Sequence, residues 1–283
     1  MPNIELVTQV RPCVDEVFTT ESKKSVLTNE DFKWTGAHSI KVYKISTGSM
    51  NDYGRSGPKE NNWSRYGKVE GLDATTEEMT LKKDRSFTFA IDKMDTDETA
   101  QQLAASSALA RQVREVVIPE VDTYTYDVMC KGAGTKPAAV TLTKENIYLE
   151  ILKASNELDN AEVPETGRQL VITPDVLFLM KQCKDITLDN DIGKELRVKG
   201  VVGILDGANV LKIPKNRLPK DFGFMLCHPC ATVAPVKLED YNTHTNPPGI
   251  SGTLVEGRIV YDAFILDNKK KAIYYQANKV AEA

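Results

Sequence analysis

The residues whose types and spacing could do chemistry are Cys227, His228 and Cys230, in the run CHPC. Two thiolates separated by two residues are half of a tetrahedral zinc site, or the two ends of a redox disulfide. Zinc needs a second pair, and the nearest candidates in the sequence, Cys183 and His244, form no partner motif. A redox pair is expected just after the first strand of a thioredoxin-like unit, whereas this one follows FGFML late in the chain. Buried thiols are therefore favoured over a metal-dependent enzyme built on these three residues.

Other motifs fail on spacing. With Gly193 of LDNDIGKE (188–195) set at the sixth position of a calcium loop, Leu188, Asn190, Ile192 and Lys199 fall at positions one, three, five and twelve. Only Asn190 could coordinate the ion. KGVVGILDG (199–207) lacks the glycine order that cradles a pyrophosphate. The three histidines, His38, His228 and His244, stand in no H-E-x-x-H helix, and no G-x-S-x-G elbow is present. Asn62-Trp63-Ser64 matches the glycosylation tripeptide, but no secretory signal precedes it. The sequence thus assigns no catalytic, cofactor-binding or metal residue, and the expectation is a protein that is not an enzyme.

A chain of 283 residues with 41% hydrophobic content can bury a sizeable core in one or two domains. A net charge of -4 argues against a dedicated nucleic-acid binder, which needs a surplus of Lys and Arg. No run approaches the roughly 18 apolar residues of a membrane span, and the first 30 residues lack the order of a signal peptide. Five scattered cysteines suit reduced thiols in a cytoplasmic setting.

These residues must be held by elements. Residues 1–38 read as an extended arm with one short helix and little part in a core. IKVYKI (40–45) and MTLKKDRSFTFAID (79–92) read as two strands of a long ribbon. In the second, Met79, Leu81, Phe87, Phe89 and Ile91 form one face, broken by Lys83 and Arg85. The connection SMNDYGRSGPKENNWSRYGKVEG (49–71) is too long for a hairpin turn and too aromatic for a disordered linker. Tyr53, Arg55, Trp63, Arg65 and Tyr66 in it, with Lys83 and Arg85 beside it, are the expected intersubunit contacts, because Trp, Tyr and Arg are the usual anchors of interfaces.

Residues 95–122 predict a long helix at about 96–118, acidic at its start, striped by Leu103, Ala110, Val113 and Val117, and stopped by Pro119. Beyond 140 the pattern is mixed α and β. It includes a helix capped by Thr143, a second begun by Thr173-Pro174, and a hairpin turn at Asp206-Gly207. A protruding ribbon and a body with no convergent catalytic site point to an assembly protein.

The order of parts resembles the major capsid proteins of tailed bacteriophages with the Hong Kong 97 type fold. The resemblance rests on VDEVF, KWTGAHSIKVYKIST, MNDYGRSG, SRYGKVEG, EEMTLKKDRSFTFAIDK and RQVREVVIPEVDTY, with a weaker match from VPETGRQLVITP to GRIVYDAFILDNKKKAIYY. It implies an α+β fold with an N-terminal arm at 1–38 and an extended loop at 39–92. A peripheral domain would comprise 93–140 and 250–283, and an axial domain 141–249. It also implies hexamers and pentamers of one chain in an icosahedral shell, located in the virion and assembled in the bacterial cytoplasm. The partners implied are a portal protein, a decoration protein, packaged double-stranded DNA held non-specifically, and no membrane.

Some relatives carry a cleaved scaffolding segment before the arm; this chain begins almost at the arm, so the expectation is a separate scaffolding protein or none. Others weld subunits through a Lys to Asn bond. Among Lys59, Lys68, Lys82 and Lys83 no motif singles one out, and solvated or ion-paired lysines are the favoured reading. The runner-up is an encapsulin-like bacterial nanocompartment shell.

Overall fold

The structure is a computed structural model that describes residues 21–29, 39–57, 63–68, 71–98, 105–183, 186 and 201–279. The expectations for Cys13, His38, Lys59, Asn62, Leu103 and the 188–195 loop lie outside these residues, as does most of the 1–38 arm. The chain divides into two units, one of residues 34–81 and one of residues 1–33 with 82–283.

The larger unit begins with the short helix α1, Lys24–Leu27. An arm with little part in a core was expected, yet Leu27 is fully buried in the main apolar cluster. Polar contacts hold the same segment. Ser22 Oγ donates to Asp122 Oδ1 (2.6 Å), Lys23 Nζ to the Lys212 carbonyl (2.8 Å), and Asn29 N to the Thr232 carbonyl (2.8 Å).

The smaller unit is an antiparallel ribbon of β1, Ser39–Ile45, and β2, Ala74–Thr80, in continuous register from Ser39 opposite Thr80 to Ile45 opposite Ala74. Ion pairs Lys41–Glu78 (3.8 Å) and Lys44–Glu77 (3.1 Å) lie along it. The expected ribbon strand of 79–92 is corrected here. It breaks at Leu81-Lys82, and β3, Lys83–Asp92, belongs to the larger unit, where it pairs with a later strand. The partner changes at Leu81-Lys82, and Lys83, Asp84 and Arg85 are the first, largely exposed residues of β3.

The larger unit continues through α2, Lys93–Glu98, and α3, Ala105–Gln112. A π-turn over Val113–Val117 leads without interruption into α4, Ile118–Gly132. The helix therefore runs through Pro119, which had been read as its stop. Proline offers no N–H and its ring crowds the carbonyl four residues back. The wide turn, in which the Ile118 N–H reaches the Val113 carbonyl, opens the helix where that ring needs room. The expected stripe shifts accordingly. Ala110 is exposed, α3 buries nothing, and the buried face runs through Val117, Val121, Tyr126 and Met129.

Next come α5, Ile147–Asn160; β4, Gln169–Ile172; and α6, Pro174–Gln182. Thr173 Oγ1 caps α6 by accepting from Val176 N (3.2 Å), as the sequence predicts. Thr143 does not cap α5; it sits before a turn, with its N–H on Asn146 Oδ1 (2.8 Å), and α5 starts at Ile147. β5, Val201–Leu205, and β6, Ala208–Lys212, form the expected hairpin, with Asp206 and Gly207 both left-handed (φ 47° and 77°). The chain then supplies β7, Phe222–Cys227; β8, Thr232–Val233; β9, Val236–Thr245; β10, Gly252–Tyr261; β11, Phe264–Ile265; and β12, Ile273–Ala277.

Two main sheets result. One has five strands in the order β12-β7-β4-β6-β5, antiparallel except for β4 with β6. Its central strands QLVI and FGFMLC are buried at every residue, with α5 and α6 contributing Ile147, Ile151, Leu158, Val176 and Met180 to the same core. The other is the antiparallel sheet β3-β10-β9, whose Ile259 and Tyr261 pack on Val117 and Val121 of the long helix.

Strand pairing crosses the expected domain boundaries. β9, from the 141–249 segment, pairs with β10, while β12, from the 250–283 segment, joins the five-stranded sheet. Chain order alone could not show this, because each strand follows its hydrogen-bonding partner.

Candidate functional site

The connection between β1 and β2 starts at a tight pair of contacts, with Ser46 N on the Asp73 carbonyl and Asp73 N on Ser46 Oγ (both 2.9 Å). Further out, Gly54 N donates to the Arg65 carbonyl (2.8 Å), which closes the two limbs on each other. Gly67 is left-handed (φ 93°), and a Cβ there would run into the Asn51 side chain. The rings of Tyr53 and Tyr66 meet edge to face at 5.0 Å.

Of the predicted residues, the structure therefore brings Tyr53, Arg65 and Tyr66 together at the tip, with Trp63 beside them and 86% exposed. Arg55 and Arg65 are exposed and have no ion-pair partner among the described residues. Rings and guanidinium groups are thus presented to solvent by a segment that orders itself through its backbone.

Sequence reasoning missed four further apolar residues of this unit. Tyr43 (71% exposed) and Ile45 (65%) stand on one face of β1, and Met50 and Leu72 are also exposed. Period-two alternation in IKVYKI could have found the first two, since it sets them opposite Ile40 and Val42. Exposed rings and aliphatic side chains of this size across one small unit form the kind of surface that marks an interaction site.

Lys83 and Arg85 are placed differently, within the larger unit. Arg85 Nε pairs with Glu120 Oε1 (2.8 Å), and Lys83 Nζ lies 4.9 Å from the centre of the Tyr124 ring. Tyr124 donates to Asp262 Oδ1 (2.7 Å) and stacks edge to face on Tyr261 (5.7 Å), whose hydroxyl donates to Glu120 Oε1 (3.2 Å). Burial, then the adjoining carboxylate of Asp262, pushes the Tyr124 phenol far above its ordinary range; burial and Glu120 push Tyr261 up to about 12. Both stay protonated donors that tie α4 to β10 and to Asp262 just after it, while Arg85 joins β3 to α4. A groove of about 510 Å³ opens beside them, between Lys83, Glu120, Asp127, Leu218 and Pro219.

In CHPC, Cys227 is fully buried in β7, and burial pushes its thiol up to about 12. His228 Nδ1 accepts from Cys230 N (3.2 Å), so Nε2 carries the hydrogen and donates to the Thr166 carbonyl (3.2 Å). Both ring nitrogens are thereby spent on a turn, and the motif works as a strand terminus. Among the described residues no group of three or more His, Cys, Asp and Glu could hold a metal ion, and no helix is long and apolar enough to cross a membrane.

No family model matches this sequence, and no curated protein matches it. The architecture does match solved structures. A chain from the capsid of cyanophage P-SCSP1u superposes with a TM-score of 0.73 at 12% identity, covering 97% of this chain and 93% of that one. A chain from the mature capsid of bacteriophage PhiM1 gives 0.72 at 13% identity, covering 99% and 93%. A virus-like particle from Pyrococcus furiosus gives 0.52 at 12% identity, covering 85% and 86%. The fold is that of tailed-phage capsid subunits, the Hong Kong 97 type.

Proposed function

We propose that this chain is the major capsid protein of a tailed bacteriophage, which self-assembles as hexamers and pentamers into an icosahedral head around double-stranded DNA. The observation that carries the reading is the extent of the likeness. It spans 97% of this chain and 93% of the cyanophage capsid chain, so the described ribbon, long helix and both sheets all have counterparts in a shell subunit. The nanocompartment alternative has weaker support, in the lower TM-score of 0.52 to the archaeal particle.

The mechanism is mechanical. The unit 34–81 is the extended loop, and Tyr53, Arg55, Trp63, Arg65 and Tyr66 are the side chains it offers to a neighbouring copy. Obligate interfaces bury about 2,000–5,000 Å², and a subunit that makes several of them is held by many modest contacts rather than one strong bond. The role needs no catalytic group. A portal and a separate scaffolding protein complete the reading as partners, and a decoration protein can bind outside.

The test is expression of the full chain, alone and with its neighbouring genes, followed by negative-stain microscopy and light scattering. Closed shells that hold DNA support the capsid. DNA-free shells around a co-purifying enzyme would favour the compartment, and monomers under every condition would overturn both.

A further inference from the structure

The chain is acidic overall, with a net charge of -4, yet its cations are not evenly spread. At the C-terminal end of α4 the backbone of Gly134 abuts the 267–272 turn, its N–H donating to the Lys270 carbonyl (2.9 Å). Thr135 N continues the contact onto the Ile273 carbonyl (3.3 Å), and Lys136 follows with Nζ on the Lys131 carbonyl (2.7 Å). This seam gathers Lys131, Lys136, Lys269, Lys270 and Lys271, all exposed. Lys131 pairs with Asp127 and Lys270 with Asp267. Lys136, Lys269 and Lys271 have no ion-pair partner among the described residues. A local surplus of positive charge thus sits on a negative molecule.

We propose that this lysine seam is the surface through which the subunit touches the phosphate backbone of duplex DNA, and so faces the inside of the shell; this rests on the capsid reading. Two features favour a polyanion over a protein partner. Protein docking relies on large anchors such as Trp, Tyr or Arg, and among the described residues none of the exposed large hydrophobics falls within 127–139 or 263–272. The cations are also all lysines, point charges without the planar fork that fixes a ligand in one geometry. Lysine contacts to phosphate give weak, sequence-blind, salt-sensitive binding that lets DNA slide. A wall that must hold a genome loosely and release it needs that kind of contact.

The test is fluorescence anisotropy of a labelled 20-base-pair duplex (about two helical turns) titrated with the purified full chain, kept unassembled, at a series of salt concentrations. The variants are a Lys136→Gln/Lys269→Gln/Lys271→Gln triple, and a control triple of other exposed lysines, Lys153→Gln/Lys181→Gln/Lys215→Gln. The seam triple is expected to bind about tenfold more weakly at about 50 mM salt. The slope of log K against log salt should fall by about 2 to 3, at about 0.9 per lost phosphate contact. The control should match the parent chain.

Equal losses in both triples, an unchanged seam variant, or no binding by the parent chain at about 50 mM salt would overturn the assignment. Negative-stain microscopy of the same three proteins separates the two readings. If the chain forms shells but its unassembled subunits do not bind DNA through the seam, this inference falls alone; if no shells form, the capsid reading falls first.

Discussion

Asp122 and Arg217 form an ion pair of 2.9 Å with side chains only 2% and 5% exposed, and it ties the long helix to the turn after β6. Burial holds the Asp122 carboxyl above its usual range, although Ser22, Arg217 and Lys24 all pull it down. Removing one partner leaves the other buried without its counter-charge, so Arg217→Met should cost about 3–5 kcal/mol. Asp122→Leu combined with Arg217→Met should recover much of that. In the single variant the Asp122 pKa rises further, so ionisation costs more as pH climbs. Urea unfolding should therefore show a deficit that grows as pH rises above the ordinary carboxylate range.

A second prediction concerns Gly257, at the centre of the three-stranded sheet. Phe87 and Tyr241 lie directly across from it on either side, and their rings meet over it at 6.1 Å. A Cβ at Gly257 would intrude on both rings. Gly257→Ala should destabilise the subunit by about 1–3 kcal/mol. Gly257→Ala in a Phe87→Leu background should lose less, since the leucine leaves room. Unchanged chemical-denaturation midpoints in the single variant would contradict this packing.

At the tip, the expected result is a split between folding and assembly. Trp63→Ala with Tyr66→Ala should leave subunit stability within about 0.5 kcal/mol, as surface substitutions do. Closed shells should nevertheless be lost or greatly reduced in light scattering and negative stain. Normal shells from that double variant would remove the tip from the contact.

Acid should act through Asp84. The bond from Arg258 (Nε to Oδ1, 2.9 Å) holds its carboxyl below the ordinary 3.8. A carboxylate whose folded pKa is depressed adds stability above its unfolded pKa and loses it as pH falls through the folded one. Asp84→Asn should therefore unfold at lower urea than the parent chain at about pH 6, above the ordinary carboxylate range, and the gap should close as pH falls through the titration of the depressed carboxyl. Because the pair is exposed, the gap should be small and shrink in salt.

Local rules made much of this fold readable in advance. Thr173-Pro174 started a helix and Asp206-Gly207 turned a hairpin because each acts on its own backbone neighbours. What escaped depended on partners distant in the chain. Leu27 looked like part of an arm until the core closed over it, and β9 and β12 joined sheets across the boundaries drawn from chain order. Ala110 was read into one stripe with Val117, but a π-turn between them adds a residue and rotates one face against the other. At the tip, residue type alone singled out Trp63 and Tyr66, since large rings stand out in a connection, and the structure leaves both exposed. Tyr43 and Ile45 lay within reach of the same reasoning, since alternation in IKVYKI sets them on the face opposite Ile40 and Val42.

The anchoring of residues 21–29 has one more consequence. Leu27 in the core, Lys23 on the carbonyl after β6 and Asn29 on β8 act like a rivet through the body of the subunit. Tension arriving along the chain from before residue 21 would be delivered at that rivet, straight into the buried sheet. A force applied at residue 21 is thereby met by the buried sheet rather than by the surface.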